Sequence, residues 1–173
     1  PGLRAPLWSR GLGDVYKRQV LYWAIMLYVP VPGIGQPDLS VPELNLAHYI
    51  DNKYLPGVMW QDTWDPEGIL TTIPSIITGV FGLIAGSILV SKINIKDKII
   101  KLFSIGLMLV FVGDFFSWSF PVNKNLWSTS YTFLMAGMSF MLTAAFTYLS
   151  LIHISEPTRP ERIAYGGFCL KKK

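Results

Sequence analysis

This sequence is poor in charge, in histidine and in cysteine. Charged residues make up 15% of its 173 positions, against about 25% in an average soluble domain. A lone cysteine, Cys169, excludes a disulfide framework and the Cys-based zinc patterns. With two histidines, His48 and His153, no HExxH spacing exists and no metal site is expected. No P-loop, dinucleotide glycine fingerprint or GxSxG elbow occurs either, so the nucleotide-cradling and serine-hydrolase classes fall away. What is abundant is apolar surface. Hydrophobic residues reach 51% and aromatics 14%, with a mean hydropathy of +0.39. Disorder is thereby excluded, which leaves a membrane protein or an exceptionally apolar soluble domain.

The formal net charge of +4 and the pI near 9.2 point at first to a nucleic acid or a membrane surface. That basicity sits in the two ends. The string SRGLGDVYKRQ (9–19) resembles the in-frame translation of a transposase-type sequencing adapter. LSLIHISEPTR (149–159) resembles the reverse complement of the same adapter, and FCLKKK (168–173) its far end running into a poly-A read. Residues 1–19 and 149–173 are therefore expected to be adapter-like artefacts, not native, and are set aside from fold reasoning. They should lack tertiary contacts, except that the apolar string 149–154 would prolong a preceding helix. The ends hold nine of the fifteen basic and three of the eleven acidic residues, leaving 20–148 with a net charge of −2. No nucleic-acid partner is expected of such a segment.

Within 20–148, the run ILTTIPSIITGVFGLIAGSILV (69–90) carries no charge over 22 residues. About 20 apolar residues cross a bilayer core. Further spans are expected at about 99–118 and 127–148, while VLYWAIMLYV (20–29) is too short to cross and looks like the end of a truncated helix. The expected fold is all-α: a polytopic membrane helix bundle, present as a fragment with three complete and one truncated transmembrane helices. Pro74 should loosen the opening turns of the first complete span, which membrane helices tolerate. Thr78, Gly82 and Gly86 recur every fourth position and form a flat stripe, the pattern of a helix-packing face.

Charge orients the bundle. Lys92, Lys96, Lys98 and Lys101 face only Asp97, whereas 30–67 carries Asp38, Glu43, Asp51, Asp62, Asp65 and Glu67 against Lys53. Lysine and arginine mark the cytoplasmic side, so loop 92–101 is expected to be cytoplasmic and segment 30–67, with the turn 119–126, exoplasmic. Trp60, Trp64, Trp118 and Trp127 fall at the exoplasmic ends, where interfacial aromatics belong.

The exoplasmic segment carries its own patterns. VPVPGIG (29–35) must leave the membrane extended and then turn. Leu46, Ile50 and Tyr54 recur at helical spacing, which predicts a short amphipathic helix over 44–55. In DPEG (65–68), Asp65 suits an N-cap, Pro66 the first helical position and Glu67 the positive end of the macrodipole. His48 has the titration range of a general base, although a surface histidine on an amphipathic helix is the plainer role. Asp114, an acid near the end of an apolar run, is costly unless paired or wet, and only 115–120 separates it from the interface. Lys124 lies on the same face as Asp65, Glu67 and Asp114 and has the reach to pair with any of them or to orient a polar substrate.

VPVPG (29–33), NLAHYID (45–51), DPEG followed by ILTTIPSI (65–76) and PVNKNLWSTSY (121–131) together resemble the heparan-α-glucosaminide N-acetyltransferase family. The resemblance covers nearly all of 20–148. It implies a polytopic membrane acyltransferase that moves an acetyl group from cytosolic acetyl-CoA to a sugar amine or hydroxyl across the membrane. It implies a catalytic histidine in a segment N-terminal to this stretch. His48 does not match that motif, so no catalytic residue is assigned, and the fragment is expected to be inactive by itself. Asp65, Glu67, Asn123, Lys124 and Trp127 match the family's motifs as candidates for the acceptor-side mouth, or as braces for helix ends. Expected partners are the lipid bilayer, the remaining helices of the parent protein and a glycan substrate. The short loops favour a bacterial cytoplasmic membrane. The alternative class is a non-enzymatic membrane transporter or sugar-lipid binding protein built on a similar bundle.

Overall fold

The computed structural model describes residues 7–60 and 65–154; Asp62 and Trp64 lie outside the described residues. Among the described residues, five α-helices carry the chain: α1 (Leu7–Tyr28), α2 (Leu46–Tyr54), α3 (Thr72–Val90), α4 (Ile95–Ser117) and α5 (Thr129–Ile154). Among the described residues there is no strand; one isolated bridge, Val31 to Gly35, closes the turn after α1. Among the described residues, three helices are long and apolar enough to cross a membrane, Thr72–Val90, Ile95–Ser117 and Thr129–Ser150. At about 1.5 Å per residue each spans roughly a bilayer core of about 30 Å. The protein is an all-α, polytopic membrane helix bundle.

Three helix boundaries bear on the expectations from sequence. α4 begins at Ile95, so Lys96, Lys98 and Lys101 ride on its first two turns instead of in a loop. Asn94 causes this: its side chain accepts from the Lys96 N–H at 3.3 Å, the cap that opens a helix. Residues 20–28, expected as the end of a truncated helix, form the last turns of α1, which runs from Leu7, and Gln19 is fully buried. The expectation that residues 1–19 make no tertiary contact fails at this position, because the Thr129 hydroxyl donates to the Gln19 carbonyl at 3.4 Å. Neither Oε1 nor Nε2 of the Gln19 side chain has a hydrogen-bond partner. α5 continues through 149–154, as the apolar string there foretells.

Two clusters hold the bundle. In the spanning part, Ile77, Phe81 and Ile84 of α3 meet Leu102 and Leu109 of α4 and Phe133, Ala136, Phe140 and Ala144 of α5. Phe81 stands edge-on to both Phe133 and Phe140, at centroid distances of 5.9 and 6.5 Å. α4 and α5 approach most closely, because glycine lines their contact. A Cβ on Gly137 would lie 2.6 Å from the Gly106 carbonyl oxygen, and one on Gly113 would lie 2.8 Å from the Leu134 nitrogen. This is the small-residue packing that membrane helices use. It is not the stripe expected on α3: at Gly82 and Gly86 an added Cβ would meet nothing within 4 Å. The outer faces carry Leu83, Phe111, Phe115 and Phe146, each at least 66% exposed, an arrangement suited to lipid.

The second cluster lies at one end, where Tyr22 and Met26 of α1, Leu46 and Ala47 of α2, Val31, Phe120 and Leu126 are all buried together. The Tyr22 hydroxyl donates to the Leu126 carbonyl at 2.5 Å, and its ring stacks on Phe120 at 6.2 Å. The Trp23 indole donates to Ser119 Oγ at 3.0 Å. Helix α1 is thereby fastened to the α4–α5 connection, and α2 is brought beneath it.

Candidate functional site

Three loops and one short helix converge at this end. The α2 helix starts at Asn45, whose Oδ1 accepts from the His48 N–H at 2.9 Å, satisfying a donor left orphaned at the N-terminus. One turn of helix separates Asn45, His48 and Asp51, so they share a face. That face turns inward: all three are buried. Asp51 then organises the next motif. Its Oδ1 accepts from the Ile69 N–H at 2.8 Å, and its carboxylate fills the space that Gly68 leaves by having no side chain. Any Cβ at 68 would fall on that carboxylate. Glycine is required there by space.

This contact explains why DPEG does not cap α3. Asp65 folds back on its own loop, accepting from the Glu67 N–H at 2.8 Å as an Asx-type turn. The Gly68 carbonyl accepts from the Thr72 N–H at 3.2 Å and from the hydroxyls of Thr71 and Thr72. Helix α3 therefore opens four residues beyond DPEG.

The α4–α5 connection is braced just as locally. Asn123 Oδ1 accepts from the Asn125 N–H at 2.9 Å, and the Asn123 N–H donates to Ser128 Oγ at 3.0 Å. Ser128 Oγ also accepts from the Tyr131 N–H at 3.3 Å, the N-cap bond of α5. Ser130 Oγ donates to the Phe120 carbonyl at 2.6 Å. Trp127 adopts a φ of 44°, an uncommon left-handed conformation for a bulky residue, and its ring stands edge-on to Tyr131 at 5.7 Å.

Between these segments lies a small pocket of about 40 Å³, lined by Leu39, Ser40, Asn45, Ala47, His48, Asp51, Asp65, Thr71, Asn123, Asn125 and Leu126. It has room for a few waters, or for a polar group pushed into it. Two carboxylates and three amides in its wall favour a donor-rich, positively charged guest. Burial pushes the Asp51 carboxyl above its ordinary value, with the Asp65 charge adding to the rise and the Ile69 N–H and His48 opposing it. Outside the pocket, the Ser40 hydroxyl and N–H hold Asp38 below the usual carboxylate range. Among the described residues, no group of three or more His, Cys, Asp or Glu is placed to hold a metal ion.

Curated proteins similar to this chain include heparan-alpha-glucosaminide N-acetyltransferase from Mus musculus. That protein is 37% identical over 171 residues, a match that takes in 78% of this chain and 25% of the mouse protein. The Homo sapiens protein of the same name is 39% identical over 89 residues, taking in 46% of this chain and 13% of the human protein. This chain is a relative of heparan-α-glucosaminide N-acetyltransferase. It spans a quarter or less of the length of the curated relatives it matches. No family model matches it.

In this heparan-α-glucosaminide N-acetyltransferase-like chain, the motifs that carry the resemblance meet in space although Asn45 and Tyr131 lie 86 positions apart in sequence. Of the five residues singled out from sequence, Asp65 and Asn123 line the pocket. Glu67 and Lys124 are exposed beside it, and Trp127 is half-buried against Tyr131. Among the described residues, no ion pair joins Lys124 to Asp65, Glu67 or Asp114. Asp114 is exposed on the outer face of α4, away from the pocket lining. His48 is not the surface residue expected: it is 9% exposed and lines the pocket. Sequence reasoning also passed over Asn45, Asp51, Thr71 and Asn125. The signal for the first two lay in their three-residue spacing with His48, which puts three polar groups on one helical face.

Proposed function

We propose that this chain is part of an integral membrane acyltransferase that carries an acetyl group from acetyl-CoA to the amine of an amino sugar, or to another glycan acceptor. The single observation that supports this best is the meeting of the NLAHYID, DPEG and PVNKNLW segments around one carboxylate-lined pocket at one end of the spanning helices. The lysine-rich end of α4 is the cytoplasmic side, and the pocket end is exoplasmic, by the distribution of lysine and tryptophan. A bacterial cytoplasmic membrane is the proposed location.

In this reading Asp65, Glu67, Asn123, Lys124 and Trp127 form the acceptor-side mouth. The Asp65 carboxylate and the Asn123 amide orient the acceptor amine, while Asp51 holds the loop that carries Asp65. The pocket does not fit the acyl donor, because its carboxylates would repel the phosphates of acetyl-CoA and its volume is far too small. Acetyl-CoA is left to other parts of the parent protein, as is the group that removes the proton when the amine attacks the thioester and the thiol leaves. Thr78, Gly82 and Gly86 are proposed to receive one of the parent's remaining helices.

The test uses the intact protein that contains this segment. Asp65→Asn keeps the acceptor for the Glu67 N–H and removes only charge. It should raise the KM for glucosamine at least tenfold with expression unchanged, and Asn123→Ala should act in the same direction. Normal KM and kcat in both variants, with normal expression, would overturn the mouth assignment.

A further inference from the structure

His48 belongs to two spaces. It is the one residue shared by the lining of the inner pocket and that of an outer groove of about 330 Å³, formed by Ile34, Glu43, His48, Tyr49, Asn52 and Lys53. The groove runs along the adjoining flank of α2, so His48 stands between the two. It is 9% exposed, and its Nδ1 is buried without a hydrogen-bond partner. The imidazole thus keeps hydrogen-bonding capacity at Nδ1 that the described residues do not use.

The groove has the mixed character of a carbohydrate site. Ile34 and the Tyr49 ring give apolar surface, while Asn52 offers both a donor and an acceptor and Lys53 a donor. Lys53 Nζ lies over the Tyr49 and Tyr54 rings, at 5.6 and 5.5 Å from their centroids, which fixes that donor at the groove edge. The volume sits at the lower end of the range for small-ligand sites, about 300–1,000 Å³, and matches a guest the size of a single sugar ring.

We propose that this groove is a saccharide subsite that takes one pyranose unit, with His48 bonding one of its hydroxyls. It lies next to the pocket that receives the acceptor amine, one side chain away. Two adjacent spaces divided by one imidazole provide places for two consecutive units of a glycan, so His48 and Asn52 select an oligosaccharide over a free monosaccharide. The occupant rests on the glycan-acceptor reading given above; binding itself does not.

The experiment places the full 173-residue chain in lipid nanodiscs with 15N-labelled histidine. Methyl glucoside, which carries no amine, is the probe, and glycerol is the control. His48→Gln distinguishes the His48 ring signals from those of His153. The expected result is a saturable shift of the His48 nitrogen signals with methyl glucoside and none with glycerol. Asn52→Ala and Tyr49→Ala should weaken the apparent affinity at least tenfold; Asn52→Ala, at an exposed position, should leave the unfolding midpoint unchanged, whereas Tyr49→Ala also removes a ring packed on the buried cluster and should lower it. A linear shift equal to that of glycerol, or an affinity indifferent to both variants, would overturn the subsite. Acetyl transfer is not read in this assay, so loss of the subsite and loss of the acyltransferase reading are separate outcomes.

Discussion

Replacing Gly68 by alanine is the sharpest test of how the site is held. The new Cβ would fall on the Asp51 carboxylate, displacing it from the Ile69 N–H. A hydrogen bond to a charged group is worth about 1.5–3 kcal/mol, and overpacking a close contact costs about 1–3 kcal/mol. The two terms overlap, because moving the carboxylate relieves the clash, so the expected loss is about 3 kcal/mol. That is a large share of a total stability of about 5–15 kcal/mol. The assay is reversible unfolding in detergent micelles, run as a double-mutant cycle with Asp51→Ala. Without the carboxylate the Cβ has space, so Gly68→Ala on the Asp51→Ala background should cost no more than about 0.5 kcal/mol. Strict additivity of the two substitutions would refute the steric account. The same cycle has a pH arm. Burial raises the Asp51 pKa above its ordinary 3.8, so the native chain binds more protons than the unfolded one between 3.8 and the raised value. Stability contributed by this group therefore falls as pH rises through that interval. Asp51→Asn, which still accepts from Ile69, should flatten that slope.

Two further substitutions probe the bundle. Gly137→Ala places a Cβ against the Gly106 backbone and should destabilise the chain by about 1–3 kcal/mol, whereas Gly82→Ala, with open space around it, should stay within about 0.5 kcal/mol; parallel unfolding curves decide between them. Gln19→Leu removes a buried amide with neither polar atom satisfied and should raise the unfolding midpoint, since each unmade bond costs about 1–3 kcal/mol; an unchanged or lower midpoint would contradict the orphaned amide.

The spanning helices were legible because uncharged runs of bilayer length have few other uses. Their contacts were not. A small residue every fourth position looks alike whether it faces a neighbouring helix or the lipid, so Thr78, Gly82 and Gly86 gave no clue that Gly106, Gly113 and Gly137 carry the tight contact. The lysines of α4 were counted as loop because their charge outweighs a hydropathy window, although Asn94 already signalled a cap. The DPEG turn was misplaced for a different reason. Its local pattern suits a helix start, and only the distant Asp51 carboxylate diverts it. His48 looked exposed because most of what closes the pocket around it, Thr71 and 123–126, is remote in sequence. Polar residues on one face of α2 were visible; what they face was not.

The backbones of α4 and α5 touch at Gly106 and Gly137, with no side chain between them to yield. Neither rod can slide along the other without a carbonyl striking a neighbour. The pair therefore moves as one stiff lever, with lysines at one tip and the asparagine turn at the other. A tilt imposed at one tip is thereby shared by both helices.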